Sequence, residues 1–143
     1  MERRNLFKAV MLAGLSGIVG HRAKADEARA MKVVYHLSDA DKTAFVLGNL
    51  RNHRAGGPVG LQLPTVLHGT ALPVFRANTP NQAIKEDLAL AMKDGVTFYA
   101  CANTLKAHDW TLADLLPGFL LAENGGVVKL ADMQAQGWVY LRP

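Results

Sequence analysis

Short apolar runs alternate with amphipathic segments along nearly the whole chain, and this alternation most narrows the fold it can adopt. Met31 to Leu37 (MKVVYHL) is rich in β-branched and aromatic residues and reads as a buried strand. Ser38-Asp39-Ala40-Asp41 offers N-cap residues. Ala44, Val46, Leu47 and Leu50 then recur at helical spacing to about Ala55, where Gly56-Gly57-Pro58 stops the helix. Gly60 to His68 (GLQLPTVLH) reads as a second strand. Because Pro64 lacks an N–H for the ladder, this strand is expected at a sheet edge or with a bulge.

Residues 71–76 form a short helix or loop in this reading, and Asn78-Thr79-Pro80 announces a helix from Asn81 to Lys93, with Ile84, Leu88 and Ala91 on one face. Val96 to Ala100 (VTFYA) is the third strand and runs directly into Cys101. A turn and short helices occupy Ala102 to Leu116, with Asp109 or Thr111 as caps. Phe119 to Ala122 makes a fourth strand, and Asn124 to Gln136 a helix with Val127, Leu130 and Met133 inward. Trp138 to Leu141 is the fifth strand. Helical crossovers between successive strands imply a mainly parallel five-stranded sheet with helices on both faces, an α/β fold.

Charge separates the chain into two parts. The formal net charge is +4. Residues 1–25 carry five basic residues (Arg3, Arg4, Lys8, Arg22, Lys24) against Glu2 alone, so the remainder is neutral. A neutral body lacks the electrostatic footprint of a nucleic-acid binder, and no nucleic-acid partner is expected. Paired arginines, an apolar stretch from Ala9 to Gly20 and Ala23-Lys24-Ala25 have the layout of a cleavable export signal. The apolar stretch is too short to span a bilayer core of about 30 Å as a helix, so no stable membrane insertion is expected after cleavage. Arg3-Arg4 followed by Leu6, Phe7 and Lys8 points to the twin-arginine route. The expectation is therefore a signal peptide over 1–25, a folded domain over 26–143, and a periplasmic location.

In an open parallel sheet, ligands collect beyond the carboxyl ends of the strands. Three polar residues end the first three strands: His36, His68 and Cys101. Cys101 is the only cysteine, so it forms no intrachain disulfide. It precedes Ala102-Asn103-Thr104-Leu105, a strand-to-helix turn whose amides can favour a thiolate and lower its pKa from about 8.5. Cys101 is accordingly the candidate nucleophile, with His68, His36 and Asn103 as candidate binding residues. His68 can serve as base, proton donor or ligand, or can merely satisfy a backbone carbonyl. A zinc or copper site on His36, His68 and Cys101 is chemically feasible, but no CxxC or HxxxH spacing supports it, and no metal or other cofactor is assigned. His53 and His108 are expected on solvated surface. Trp110, Trp138 and Tyr140 are expected in the core or at oligomer contacts.

The run KVVYHLSD, then VLHG, then DGVTFYACANTL, then GWVYLRP resembles the DsrE/DsrF-like family, which includes proteins of the TusD and YchN type. The likeness extends from Met31 to Pro143. It implies a three-layer α/β/α fold and assembly into homo-oligomers (dimers, trimers or hexamers). In sulfur-relay members a cysteine after the third strand accepts sulfane sulfur as a persulfide, and Cys101 occupies the corresponding position. The implied function is sulfur carriage or sulfurtransferase-like chemistry, with sulfur-donor and acceptor proteins or small thiols as partners. Whether such a protein turns over as an enzyme or relays sulfur stoichiometrically stays open at this point. So do two other readings: an oligomeric module binding a small ligand or metal at the same rim, and a structural oligomer with Cys101 buried.

Overall fold

The computed structural model describes residues 30–143. The expected signal segment, residues 1–25, lies outside the described residues. Five strands, β1 (Val33–Leu37), β2 (Thr65–Leu67), β3 (Phe98–Cys101), β4 (Leu120–Ala122) and β5 (Val139–Leu141), form one sheet in the order β4-β3-β2-β1-β5. Every neighbouring pair is parallel. The helices are α1 (Thr43–Gly56), α2 (Gln82–Lys93), α3 (Ala102–Ala107) and α4 (Gly126–Ala135). Single 3-10 segments precede α1, follow β2 and follow α3.

Strand alternation divides the sheet residues between two cores. Val33, Tyr35, Leu37, Leu67, Phe98 and Ala100 face α1 and α2, where Val46, Leu50, Ile84 and Leu88 meet them. Val34 and Val66 face the other way, onto Leu130 and Met133 of α4. The architecture is therefore three-layer α/β/α, as the residue pattern implied. Asn81 caps α2 by accepting the Ile84 amide at 3.2 Å, the side-chain cap that offsets an orphan helix N–H. Thr111 and Asp114 form a reciprocal capping box around the 3-10 segment after α3.

The structure corrects four expectations. β2 is not an edge strand; it lies between β1 and β3. Pro64 interrupts the pairing without ending it: Gln62 bridges Lys32 before it, the ladder resumes at Thr65, and the Pro64 carbonyl accepts the Tyr35 amide at 2.9 Å. On α1, Thr43 is buried and Ala44 is exposed, since the helix begins after a 3-10 turn that rotates its apolar stripe. Val127 is 67% exposed, because the face that α4 turns to the sheet runs through Gly126, Leu130 and Met133. His53 is not a free surface residue: its Nδ1 pairs with the Tyr35 hydroxyl at 2.9 Å.

Among the described residues, no helix is long and apolar enough to cross a membrane.

Candidate functional site

Register brings the three strand-end residues together. Leu67 pairs with Ala100, so the next residues, His68 and Cys101, are lateral neighbours with side chains on the α4 side of the sheet. His36 lies on the same face of β1, two residues beyond Val34. Since β3, β2 and β1 are consecutive in the sheet, Cys101, His68 and His36 form an oblique row at its carboxyl rim, His36 being level with Val66, two residues before His68.

Cys101 is 5% exposed and is the N-cap residue of α3. Burial pushes its thiol pKa up, but hydrogen bonds to the sulfur outweigh that effect and leave it below the ordinary thiol value. The strongest comes from the Gly126 amide, which donates to Sγ at 3.1 Å. The Thr104 amide and hydroxyl and the Asn103 amide lie close enough to lower it further, although none closes a cap hydrogen bond to the sulfur. A chain turning sharply from strand to helix at Ala102 aims its first free amides back at residue 101. Gly126 comes from the opposite side, as the first residue of α4. Here the missing side chain matters: a Cβ would lie 3.3 Å from Cys101 Cβ and 3.4 Å from both His68 Cδ2 and Val66 Cγ1. Gly125 before it adopts φ +99, a conformation favouring glycine, and turns the chain into the helix.

His36 and His68 meet through their Nε2 atoms at 2.5 Å, with the rings nearly stacked. His36 Nδ1 is paired with the Tyr140 hydroxyl of β5 at 2.6 Å. Burial chiefly, then His68 and Arg142, pushes the His36 pKa down to about 4, against an opposing contribution from Asp39. Burial and Arg142 lower that of His68, again opposed by Asp39. Both rings are therefore neutral near pH 7. Arg142 is itself tied down, donating to Ser38 Oγ at 2.9 Å and to Asp39 Oδ2 at 3.1 Å.

Asn103 contributes its backbone amide to the sulfur. Its exposed side chain rests against the backbone of Gly125, where a Cβ would come within 2.6 Å of Nδ2. An open cleft of about 620 Å³ adjoins this turn, with Gly69, Thr70, Asn103 and Thr104 in its wall. Thr104 Oγ1 also accepts the Gly69 amide at 3.2 Å, so the β2 exit and the Cys101 turn are tied together. No group of three or more His, Cys, Asp or Glu side chains is placed to hold a metal among the described residues.

Sequence reasoning did not find Gly126, Thr104 or Tyr140 as members of this site. The Gly125-Gly126 pair at a strand-to-helix junction was the available signal for the first. Tyr140 carried none, because β5 could have paired at either side of the sheet. His108 is exposed as expected, stacked on Trp110 with ring centres 4.3 Å apart.

No protein-family model matches the sequence, and no curated protein does. Solved structures do match. A protein of unknown function from Methanobacterium thermoautotrophicum shares 29% identity at a TM-score of 0.71, over 79% of this chain and 99% of that one. A conserved protein of unknown function from Bacteroides thetaiotaomicron is 18% identical at a TM-score of 0.59, over 78% of this chain and 95% of that one. The YchN protein of E. coli aligns over 79% of this chain and all of its own, at 14% identity and a TM-score of 0.57. Identities this low for the last two speak to architecture alone. The all-parallel sheet, its flanking helices and these matches agree with the resemblance drawn from the residues: in its fold, this chain is a protein of the DsrE/YchN type.

Proposed function

We propose that the chain is an exported sulfur carrier that holds sulfane sulfur as a persulfide on Cys101. The observation that carries this reading is the Gly126 amide donating to Cys101 Sγ at 3.1 Å, with the amides of the α3 turn close enough to lower the thiol pKa further. Such donors stabilise an anionic sulfur without a metal or a cationic partner. The Cys101 thiolate attacks the outer sulfur of a donor persulfide. The new Sγ–S bond forms as the donor S–S bond breaks, and the donor departs as a thiolate. An acceptor thiolate later removes the outer sulfur and regenerates Cys101. Donor and acceptor are sulfur-handling proteins or small thiols. The cleft walled by Thr104 and Asn103 lies beside the turn that carries Cys101, which supports approach from that side.

Export through residues 1–25 would place this exchange in the periplasm. Leu120 and Leu121 on one edge strand and Val139 and Leu141 on the other are exposed apolar residues, which support self-assembly into a homo-oligomer.

Intact-mass analysis after incubation with polysulfide or thiosulfate tests the proposal. One added sulfur per chain is expected in the native protein, and none in Cys101→Ser. Absence of the adduct in the native protein refutes the carrier reading. The 5% exposure of Cys101 favours a second reading, a structural buried thiol. Under that reading a thiol reagent reacts only after denaturation.

A further inference from the structure

Cys101, His68, His36 and Tyr140 lie on β3, β2, β1 and β5, four consecutive strands, and all face α4. Within that row the last three are joined atom to atom: Tyr140 hydroxyl to His36 Nδ1, and His36 Nε2 to His68 Nε2. The outer end reaches solvent, since Tyr140 is 37% exposed, whereas His36 in the middle is 8% exposed. The inner end, His68, stands beside Cys101 on the neighbouring strand, with Gly126 packed against its Cδ2 edge and its Nδ1 on the other edge of the ring. Its Nδ1 has no hydrogen-bond partner among the described residues, and it is not among the sealed, partnerless polar atoms.

We propose that Tyr140, His36 and His68 form a proton wire that neutralises the thiolate expelled when Cys101 takes sulfur from a donor. This rests on the carrier reading for its physiological step, but the wire itself is a property of the three side chains.

Neutral imidazoles in this chain have two self-consistent protonation patterns. In the first, Tyr140 O–H donates to His36 Nδ1, His36 Nε2–H donates to His68 Nε2, and His68 carries its proton on Nδ1. In the second, His36 Nδ1–H donates to the Tyr140 oxygen, His68 Nε2–H donates to His36 Nε2, and His68 Nδ1 is bare. Passing from the first to the second releases one proton from His68 Nδ1. The Tyr140 proton moves to His36, the His36 proton moves to His68, and solvent reprotonates Tyr140. No ring need become doubly protonated as a stable species. The step balances: Cys101 thiolate, donor persulfide and one proton give Cys101 persulfide and donor thiol.

The surroundings suit neutral relay. Arg142 and Asp39 are the charged groups beside the two imidazoles, with Tyr140 from β5 and Cys101 from β3 as the other titratable neighbours. From α4, the nearest contact is the backbone of Gly126. Arg142 disfavours imidazolium, and together with burial it outweighs the opposing pull of Asp39 on both rings. Without an imidazolium beside it, the thiolate depends on amides for its stability. The histidines are left to serve the leaving group.

Leaving-group dependence tests this without requiring persulfide chemistry. Cys101 is allowed to attack two disulfides at neutral pH: hydroxyethyl disulfide, which expels a basic alkyl thiolate, and dithionitrobenzoate, which expels a weakly basic aromatic one. Only the first needs a proton delivered. His68→Asn should slow the alkyl reaction by about 100-fold and Tyr140→Phe by about tenfold, the range of general acid assistance. Both variants should stay within about twofold of the parent with the aromatic reagent. Tyr140→Phe keeps the ring at a partly exposed edge, so it guards against loss of fold, which circular dichroism checks. An equal effect on both reagents, or none on either, overturns the wire. If the contrast holds but the native protein takes up no sulfur from polysulfide, the carrier reading fails and the wire stands.

Discussion

Gly126 donates its amide to Cys101 Sγ at 3.1 Å, joining the first residue of α4 to the last residue of β3 across 25 positions of sequence. That bond is possible because residue 126 has no side chain to hold the helix away. Gly126→Ala would place a methyl 3.3 to 3.4 Å from Cys101, His68 and Val66. Two effects then compete. Overpacking costs about 1 kcal/mol or more, and alanine recovers up to about 1 kcal/mol of helix propensity. Net stability should therefore change little, while the amide withdraws and the thiol pKa rises. Ultraviolet titration of the thiolate checks this; an unchanged pKa means the Gly126 amide does not govern the sulfur.

Thr104 serves two partners at once, its amide and hydroxyl reaching Cys101 Sγ and its Oγ1 accepting from Gly69 N–H. Thr104→Val keeps the shape and removes the hydroxyl. The Cys101 pKa should rise. Gly69 is exposed, so water takes up its freed amide and stability should change by well under about 1 kcal/mol. Thiolate titration and urea unfolding of the same variant read the two effects separately.

The neutral histidine pair makes stability depend on acidity. An unfolded histidine titrates near 6.5, whereas folded His36 does so at about 4, and folded His68 is lowered too. Between those values the unfolded chain binds more protons than the folded one, so stability rises with pH there. It is fully present above about pH 7 and is lost as pH falls through 6.5 toward the folded value. For His36 alone the effect is on the order of 3 kcal/mol. Urea denaturation from weakly acidic to neutral pH should show this slope, and His36→Gln should flatten it. A slope unchanged by that substitution would locate the titration elsewhere.

A twin-arginine export signal predicts that replacing Arg3 and Arg4 together by Lys retains the uncleaved chain in the cytoplasm. Cell fractionation with immunodetection reads the outcome. Export and processing unaffected by the double change would assign the segment to another route or another role.

Much of the layout was legible because it depends on local chemistry. Ile84, Leu88 and Ala91 at helical spacing turned inward as expected. The strand-to-helix turn after Cys101 followed from a β-rich run meeting Ala102-Asn103-Thr104-Leu105. The reading failed where a residue's cost depends on its neighbours. Pro64 looked like an edge marker, yet it lies beside a central strand, where pairing on both sides of it spans the one missing donor. Val127 fitted the helical stripe of α4, but the helix meets the sheet through Gly126, Leu130 and Met133.

The order of residues along the chain settled that His36, His68 and Cys101 would end three parallel strands, because hydrophobic runs and turn residues set where each strand stops. Which strands lie side by side is a matter of packing and ladder formation between distant segments. That choice seated β1 between β2 and β5, joined His36 to both His68 and Tyr140, and carried the Gly126 amide to the sulfur. These contacts span 25 to 104 positions, and no local preference encodes such separations.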